Sequence, residues 1–431
     1  MTPPHIASPP RLATVLMVIL LSVGVGESLL YSSQNDVPNG VFSVSFAGMN
    51  VRLVDILVLT AGLSSFFSPR KFPLPRGLLL ACAAMLSVIV ASWIFVAETR
   101  SPIGTVLTEA RWVLYLLVLL PLTRILDIDD LSRIAMVSLR LLAIPVGVSV
   151  LLDIGSVVIP VPGMPGAEFG VIGGDTATML GVLSVLAVVK HSPLWLLFVL
   201  PAALTNQRAA ILATLVWGGL GAVVVLSIRR RGRRSKRPIR PLLVSVALIV
   251  APSAILLSSS LWVPYVANAV DDITGAFTDA GKLASASTRP YQLEQAWRGW
   301  LEAPLTGRGT GMGSVQFYDE YARQFVETGS AHNLIADILL RWGAIGLFVF
   351  MVIGVLILRR AWMEDRLLNG LAVVALGSVM LKAMLEPALD KYRLAAYFAV
   401  TVIAVASSST REVLPVGVEP PGHRARSTAS S

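Results

Sequence analysis

Long apolar runs, separated by short polar stretches, recur along nearly the whole chain. They fall at about 12–30, 50–67, 77–97, 104–123, 134–158, 174–190, 193–206, 208–228, 241–261, 332–358, 366–385 and 392–408. Most approach the ~20 apolar residues that a helix needs to cross the core of a bilayer. The pattern predicts an all-α, polytopic transmembrane helical bundle of about 12 spans. Two places strain it. The second run carries Arg52 and Asp55, and the seventh and eighth meet at Asn206–Arg208 with almost no loop.

Only one polar interruption is long, from Trp262 to Ala331, and its charges are of both signs. Long segments of this kind in compact proteins are usually functional. The expected organisation is 1–261 as transmembrane helices 1–9, 262–331 as a loop with an amphipathic helix, 332–408 as helices 10–12, and 409–431 as a disordered tail.

Composition agrees with this pattern. The 431 residues are 55% hydrophobic and 14% charged, with a mean hydropathy of +0.73. A soluble domain has about a quarter of its residues charged, so lipid must cover much of this surface. The net charge of +9 would point to nucleic acid in a soluble protein. Here the basic residues concentrate in alternate loops, with eight between Arg229 and Arg240 and no acid among them. The positive-inside rule makes that loop, and with it both termini, cytoplasmic, and puts 262–331 outside. The first apolar run is longer than a signal-peptide core and has no clear small-x-small cleavage site. The lone Cys82 makes no internal disulfide. There is no Walker motif and no His/Cys cluster with metal-ligand spacing. Gly307-Arg308-Gly309-Thr310-Gly311-Met312-Gly313 is glycine-rich without a surrounding strand–helix unit. It reads as a flexible loop near a site, offering backbone N–H groups to an anion.

Three residues on the expected outer side stand out. Arg208 sits in the tight Thr205-Asn206-Gln207-Arg208 turn, where it is either a snorkelling anchor or a cation facing a polar site. Arg289 precedes Pro290–Leu301, whose Leu293, Ala296, Trp297, Trp300 and Leu301 share one helical face. Thr288 suits the cap of this helix and Pro290 its first turn, and the tryptophans suit a membrane interface. Arg289 is then either a phosphate ligand at a helix N-terminus or a solvated arginine paired with Glu294 or Glu302. His332 lies at the mouth of the tenth run, as an interfacial histidine or as a proton acceptor for a hydroxyl nucleophile. Further along, Asp337 and Arg341 are spaced to pair on one helix. Gly343 and Gly346 are small enough for another helix to pack closely. Lys382 and Glu386 repeat the four-residue spacing where they would border the same outer cavity, with Asp390 and Lys391 beyond.

Taken together, these elements resemble the O-antigen ligase and polymerase superfamily of bacterial membrane glycosyltransferases. His332-Asn333, nine residues and Gly343-Ala344-Ile345-Gly346 are similar to the family's His-Asn-x9-Gly-x-x-Gly signature. Arg289, Trp297 and Pro304-Leu305-Thr306-Gly307-Arg308-Gly309 resemble its Arg, Trp and Pro-Leu-x-Gly-x-Gly stretch. Thr205–Ala210 is like its Ser-Arg-Gly-Ala turn, with Gln207 where Ser is usual. Gly173-Gly174-Asp175 weakly resembles a segment that usually has Pro-Asn. The resemblance implies a GT-C-like enzyme of the bacterial inner membrane. It would move a glycan from undecaprenyl pyrophosphate to an acceptor hydroxyl on a lipid, glycan or protein, with inversion and with no cofactor, metal or nucleotide sugar. It implies catalytic roles for His332, Arg208 and Arg289 and substrate-binding roles for Asn333, Arg308, Gly309, Lys382 and Glu386. Ligase and polymerase share these motifs; the single outer loop and complete signature favour a ligase. The rival class is a lipid-linked oligosaccharide flippase or transporter, although no internal repeat of the kind such proteins carry is evident. A structural membrane subunit is the third class.

Overall fold

In the computed structural model, the described residues are 11–30, 43–46, 49–67, 72–96, 102–154, 157, 159–160, 168–169, 173–188, 292–311, 315–319, 324–328, 333–363, 367–385 and 391–407. They are mostly helical. The helices are α1 (Arg11–Leu29), α2 (Leu53–Ser64), α3 (Arg76–Phe95), α4 (Ile103–Leu119), α5 (Ile128–Ile154), α6 (Gly174–Val188), α7 (292–302), α8 (Leu334–Met363), α9 (Leu367–Leu385) and α10 (Tyr392–Ala406). Each of nine expected spans appears as one of these helices, to within a few residues; the runs at 193–206, 208–228 and 241–261 lie outside the described residues. Among the described residues, five helices are long and apolar enough to cross a membrane, and α2, α6 and α10 are shorter apolar helices.

Three two-stranded antiparallel ladders, absent from the all-α expectation, join the helices. They are β1 (Ser43–Phe46) with β2 (Met49–Arg52), β3 (Ile159–Pro160) with β4 (Glu168–Phe169), and β5 (Val315–Asp319) with β6 (Gln324–Thr328). Hydropathy windows tuned to spans pass over strands this short.

The ends of the helices follow from their polar residues. The span expected to begin at 134 starts six residues earlier, because Asp129 and Asp130 occupy the first turn of α5, where the helix dipole favours acids. The Asp127 carboxylate accepts the Asp130 N–H at 2.7 Å as an N-terminal cap. The charges that weakened the second run have a similar use: Arg52 caps α2, and its N–H donates to Asp55 Oδ2 at 2.8 Å.

Helix α1 packs on α2 and α5, α5 on α6, α6 on α9, α9 on α10, α10 on α4, α4 on α3, and α3 on α8. At the centre, α10 is buried all round, from Tyr392 to Ala406. Its alanines at 395, 396, 399, 404 and 406 let neighbours approach closely. Trp112 of α4 meets Phe398 of α10 and Phe350 of α8 edge-on. The outward faces are apolar instead: Leu141, Ile144, Val148 and Leu151 form one exposed stripe along α5, and Phe348, Met351, Val355 and Leu358 another along α8. Such stripes require lipid rather than water as their neighbour.

Candidate functional site

Gly343 breaks α8. Its φ of 62° and ψ of −162° interrupt the helix between an outer piece that starts at Leu334 and the long remainder. A break strands carbonyls before it and N–H groups after it. Here the segment 304–309 satisfies two of each. Arg308 N–H donates to Leu340 O at 2.7 Å and Gly309 N–H to Arg341 O at 3.0 Å. In return, Ala344 N–H donates to Pro304 O at 2.9 Å and Ile345 N–H to Leu305 O at 3.1 Å. The loop is spliced into the helix. Glycine is required on both sides of the splice. A Cβ on Gly343 would lie 2.4 Å from the Leu305 carbonyl, and one on Gly307 (φ +68°) 2.5 Å from the Arg341 carbonyl carbon.

The next two loop residues are clamped to α3 and α4. Thr310 is fully buried. Its N–H donates to Ser92 Oγ at 2.9 Å and its hydroxyl to Ile89 O at 2.8 Å, and that hydroxyl accepts the Trp342 indole N–H at 3.0 Å. Gly311 N–H donates to Glu109 Oε2 at 3.0 Å, while Glu109 Oε1 lies 3.7 Å from Arg341 Nε. Both side chains of that ion pair are almost completely buried.

These contacts correct two expectations. Residues 307–311 of the glycine-rich loop are pinned to the helices, and the N–H groups of Arg308, Gly309 and Gly311 are committed within the protein rather than held out to an anion. The neighbour that needs Gly343 to be small is a loop backbone, not another helix. Arg341 also has Glu109, on a different helix, as an ion-pair partner.

Around this splice, Asn333 caps α8, its Oδ1 accepting the N–H groups of Ile335 and Ala336, both at 3.1 Å. Helix α7 packs through Ala296 on Ala336 and Leu340. On its other side Leu293, Trp297 and Leu301 are exposed, so the expected single face is divided: Ala296 turns to the protein and the larger apolar side chains turn away from it. The Trp297 and Trp300 rings lie 4.6 Å apart, and the Trp300 indole N–H donates to Pro304 O at 2.9 Å. The Arg308 guanidinium is half-exposed, 3.7 Å from Glu302.

A second cluster occupies the same end of the bundle, linked to the first through α4, which carries both Glu109 and Arg111. Its centre is Tyr392. The guanidinium carbons of Arg52, Arg393 and Arg111 lie 3.9, 5.2 and 5.9 Å from its ring centre, within cation–π range. The Tyr392 hydroxyl donates to Glu27 Oε2 at 2.8 Å. Asp55 Oδ1 lies 3.1 Å from Arg111 Nε and accepts the Tyr115 hydroxyl. Asp175, in the first turn of α6, is shared by two lysines: Lys391 Nζ lies 3.0 Å from Oδ2 and Lys382 Nζ 3.4 Å from Oδ1. Lys382 is fully buried. Ser28 and Thr176 hydrogen-bond at 2.5 Å between α1 and α6. Among the described residues, cations from α4, α9, α10 and the cap of α2 thus meet at one end. Such groups, set among low-dielectric walls, favour an anion with several acceptor oxygens.

Of the residues singled out from the sequence, Arg208, Arg289, His332 and Glu386 lie outside the described residues. Asn333, Arg308 and Gly309 belong to the splice and Lys382 to the basic cluster. Sequence reasoning passed over Glu27, Arg52, Asp55, Glu109, Arg111, Tyr392 and Arg393 as candidates. A signal was available for most of them, since ionisable side chains inside apolar runs are rare and repay suspicion.

A family model described as Wzy_C, O-antigen ligase, matches residues 193–351. The match spans the long expected loop and the splice and supports the O-antigen ligase and polymerase superfamily. A comparison with curated proteins gives no match.

Proposed function

We propose that this chain belongs to the O-antigen ligase and polymerase superfamily and is a membrane glycosyltransferase that moves a glycan from undecaprenyl pyrophosphate to an acceptor hydroxyl at the outer face of the bacterial inner membrane. The observation that supports this best is the meeting of cations from several helices at the end where α8 begins, one residue after His332 and Asn333. A diphosphate leaving group gains negative charge as its bond to the sugar breaks, and fixed cations there lower the barrier.

In this reading Arg208 and Arg289 hold the pyrophosphate by paired, charge-assisted hydrogen bonds. His332 takes the proton of the acceptor hydroxyl. The hydroxyl oxygen forms a new bond to the anomeric carbon from the face opposite the phosphate. The old bond breaks, its electron pair leaves with the pyrophosphate, and configuration inverts. The transfer is metal-independent. The basic cluster raises the local concentration of the anionic donor. Asn333 and the half-exposed Arg308 flank the acceptor, with Lys382 and Glu386 at the border.

The ligase activity is favoured over polymerisation by the single long loop and the complete His-Asn-x9-Gly-x-x-Gly signature. Deleting the gene and analysing lipid-linked and surface glycans tests this. Long polymer stranded on the carrier is the expected result. Single unpolymerised repeats would make the protein a polymerase, and an unchanged glycan profile would refute both.

A further inference from the structure

The clamp at Glu109 bridges two parts of the chain that are distant in sequence. One carboxylate takes the Gly311 N–H with Oε2 and faces the Arg341 guanidinium with Oε1. Gly311 ends the described stretch 292–311, and Arg341 lies two turns into the helix that begins at Leu334, two residues after His332 in the sequence. Glu109 therefore ties the end of that stretch to the outer piece of α8. Beside it a neutral clamp does the same. Ser92 Oγ accepts the Thr310 N–H and lies 3.4 Å from Arg341 O, while the Trp342 indole bonds the Thr310 hydroxyl. With the break at Gly343, the outer piece of α8 has no continuous helix behind it to fix its direction. The splice and the two clamps supply that direction.

We propose that Glu109 is a positioning residue for the transfer reaction, acting through Arg341 and Gly311 to hold the outer piece of α8, and so His332, in its reactive orientation. The proposal rests on His332 being the proton acceptor. Glu109 itself is buried in the protein. Its carboxylate meets the Arg341 guanidinium and the Gly311 N–H, so its loss misdirects the helix piece rather than removing a reacting group. A reacting group displaced by about 1 Å loses on the order of a hundredfold in rate.

The test uses the full chain in proteoliposomes with lipid-linked glycan donor. Donor-binding sites are counted in the same samples, so that the transfer rate is expressed per site. Glu109→Gln keeps the side chain's shape and an acceptor for Gly311 while removing the charge opposite Arg341. Its rate per site is expected to fall on the order of tenfold, with KM for the donor within about twofold and the number of binding sites preserved. A residue needed only for folding would reduce the number of sites and leave the rate per site unchanged, and that result overturns the proposal. Ser92→Ala opens the neutral clamp instead. It is expected to shift the rate per site the same way by a smaller factor, and it keeps the test available if Glu109→Gln does not accumulate. A native rate per site in Ser92→Ala under that condition overturns the proposal as well. His332→Ala separates the two failures: a native rate in that variant refutes the histidine's role, whereas loss in His332→Ala beside a native rate in Glu109→Gln refutes the positioning role alone.

Discussion

The splice and the basic cluster share one end of the bundle but are held together by different means. The splice is made of backbone. Four N–H groups and four carbonyls exchange partners across two chain segments, and two positive-φ glycines lie where no Cβ fits. The basic cluster is made of long side chains, three guanidinium groups round a tyrosine ring and two ammonium groups on a single aspartate. Backbone exchange sets the direction of a helix, while paired side-chain ions set the charge at its end. A rigid splice suits the orientation of a reacting group, and a ring of cations suits the capture of a charged donor.

Substitutions sharpen that contrast, and thermal unfolding of the detergent-solubilised protein ranks them. Gly343→Val should be the most damaging, since it combines a strained φ with a backbone clash; a loss of about 4 kcal/mol is expected. If it melts like the native protein, the splice is not rigid. Lys382→Met comes next, leaving Asp175 to Lys391 alone in a buried setting, at a cost of about 3 kcal/mol. A smaller loss from Thr310→Val, about 2 kcal/mol, reflects the hydroxyl's broken bonds to Ile89 O and the Trp342 indole, partly offset by an apolar fit; no change would mean that the neutral clamp does not hold the loop. The mildest is Tyr392→Phe, which keeps the ring for its three arginines and removes only the bond to Glu27, at about 1 kcal/mol. A loss there as large as that of Gly343→Val would erase the distinction between the two regions.

Much of the fold was legible in the sequence, because lipid and protein core both select apolar residues and the 20-residue period survives. The distinction between those two environments was not legible. The run at 392–408 reads like any other span, yet α10 is buried all round while the equally apolar α5 exposes a stripe. The site was legible where one segment holds a whole motif, as at Asn333 and Gly343. The carboxylate that completes the splice was missed because Glu109 sits some 200 residues before its partners, inside a run whose hydropathy it hardly disturbs. The partner of Lys382, Asp175, comes from a helix that no local spacing connects to it.

The most direct measurement is the initial rate of glycan transfer from lipid-linked donor by purified His332→Ala protein beside the native chain. An outer-face glycosyltransferase with His332 as proton acceptor should lose about a hundredfold or more in rate while still binding the donor. Transfer at the native rate by that variant would contradict the account.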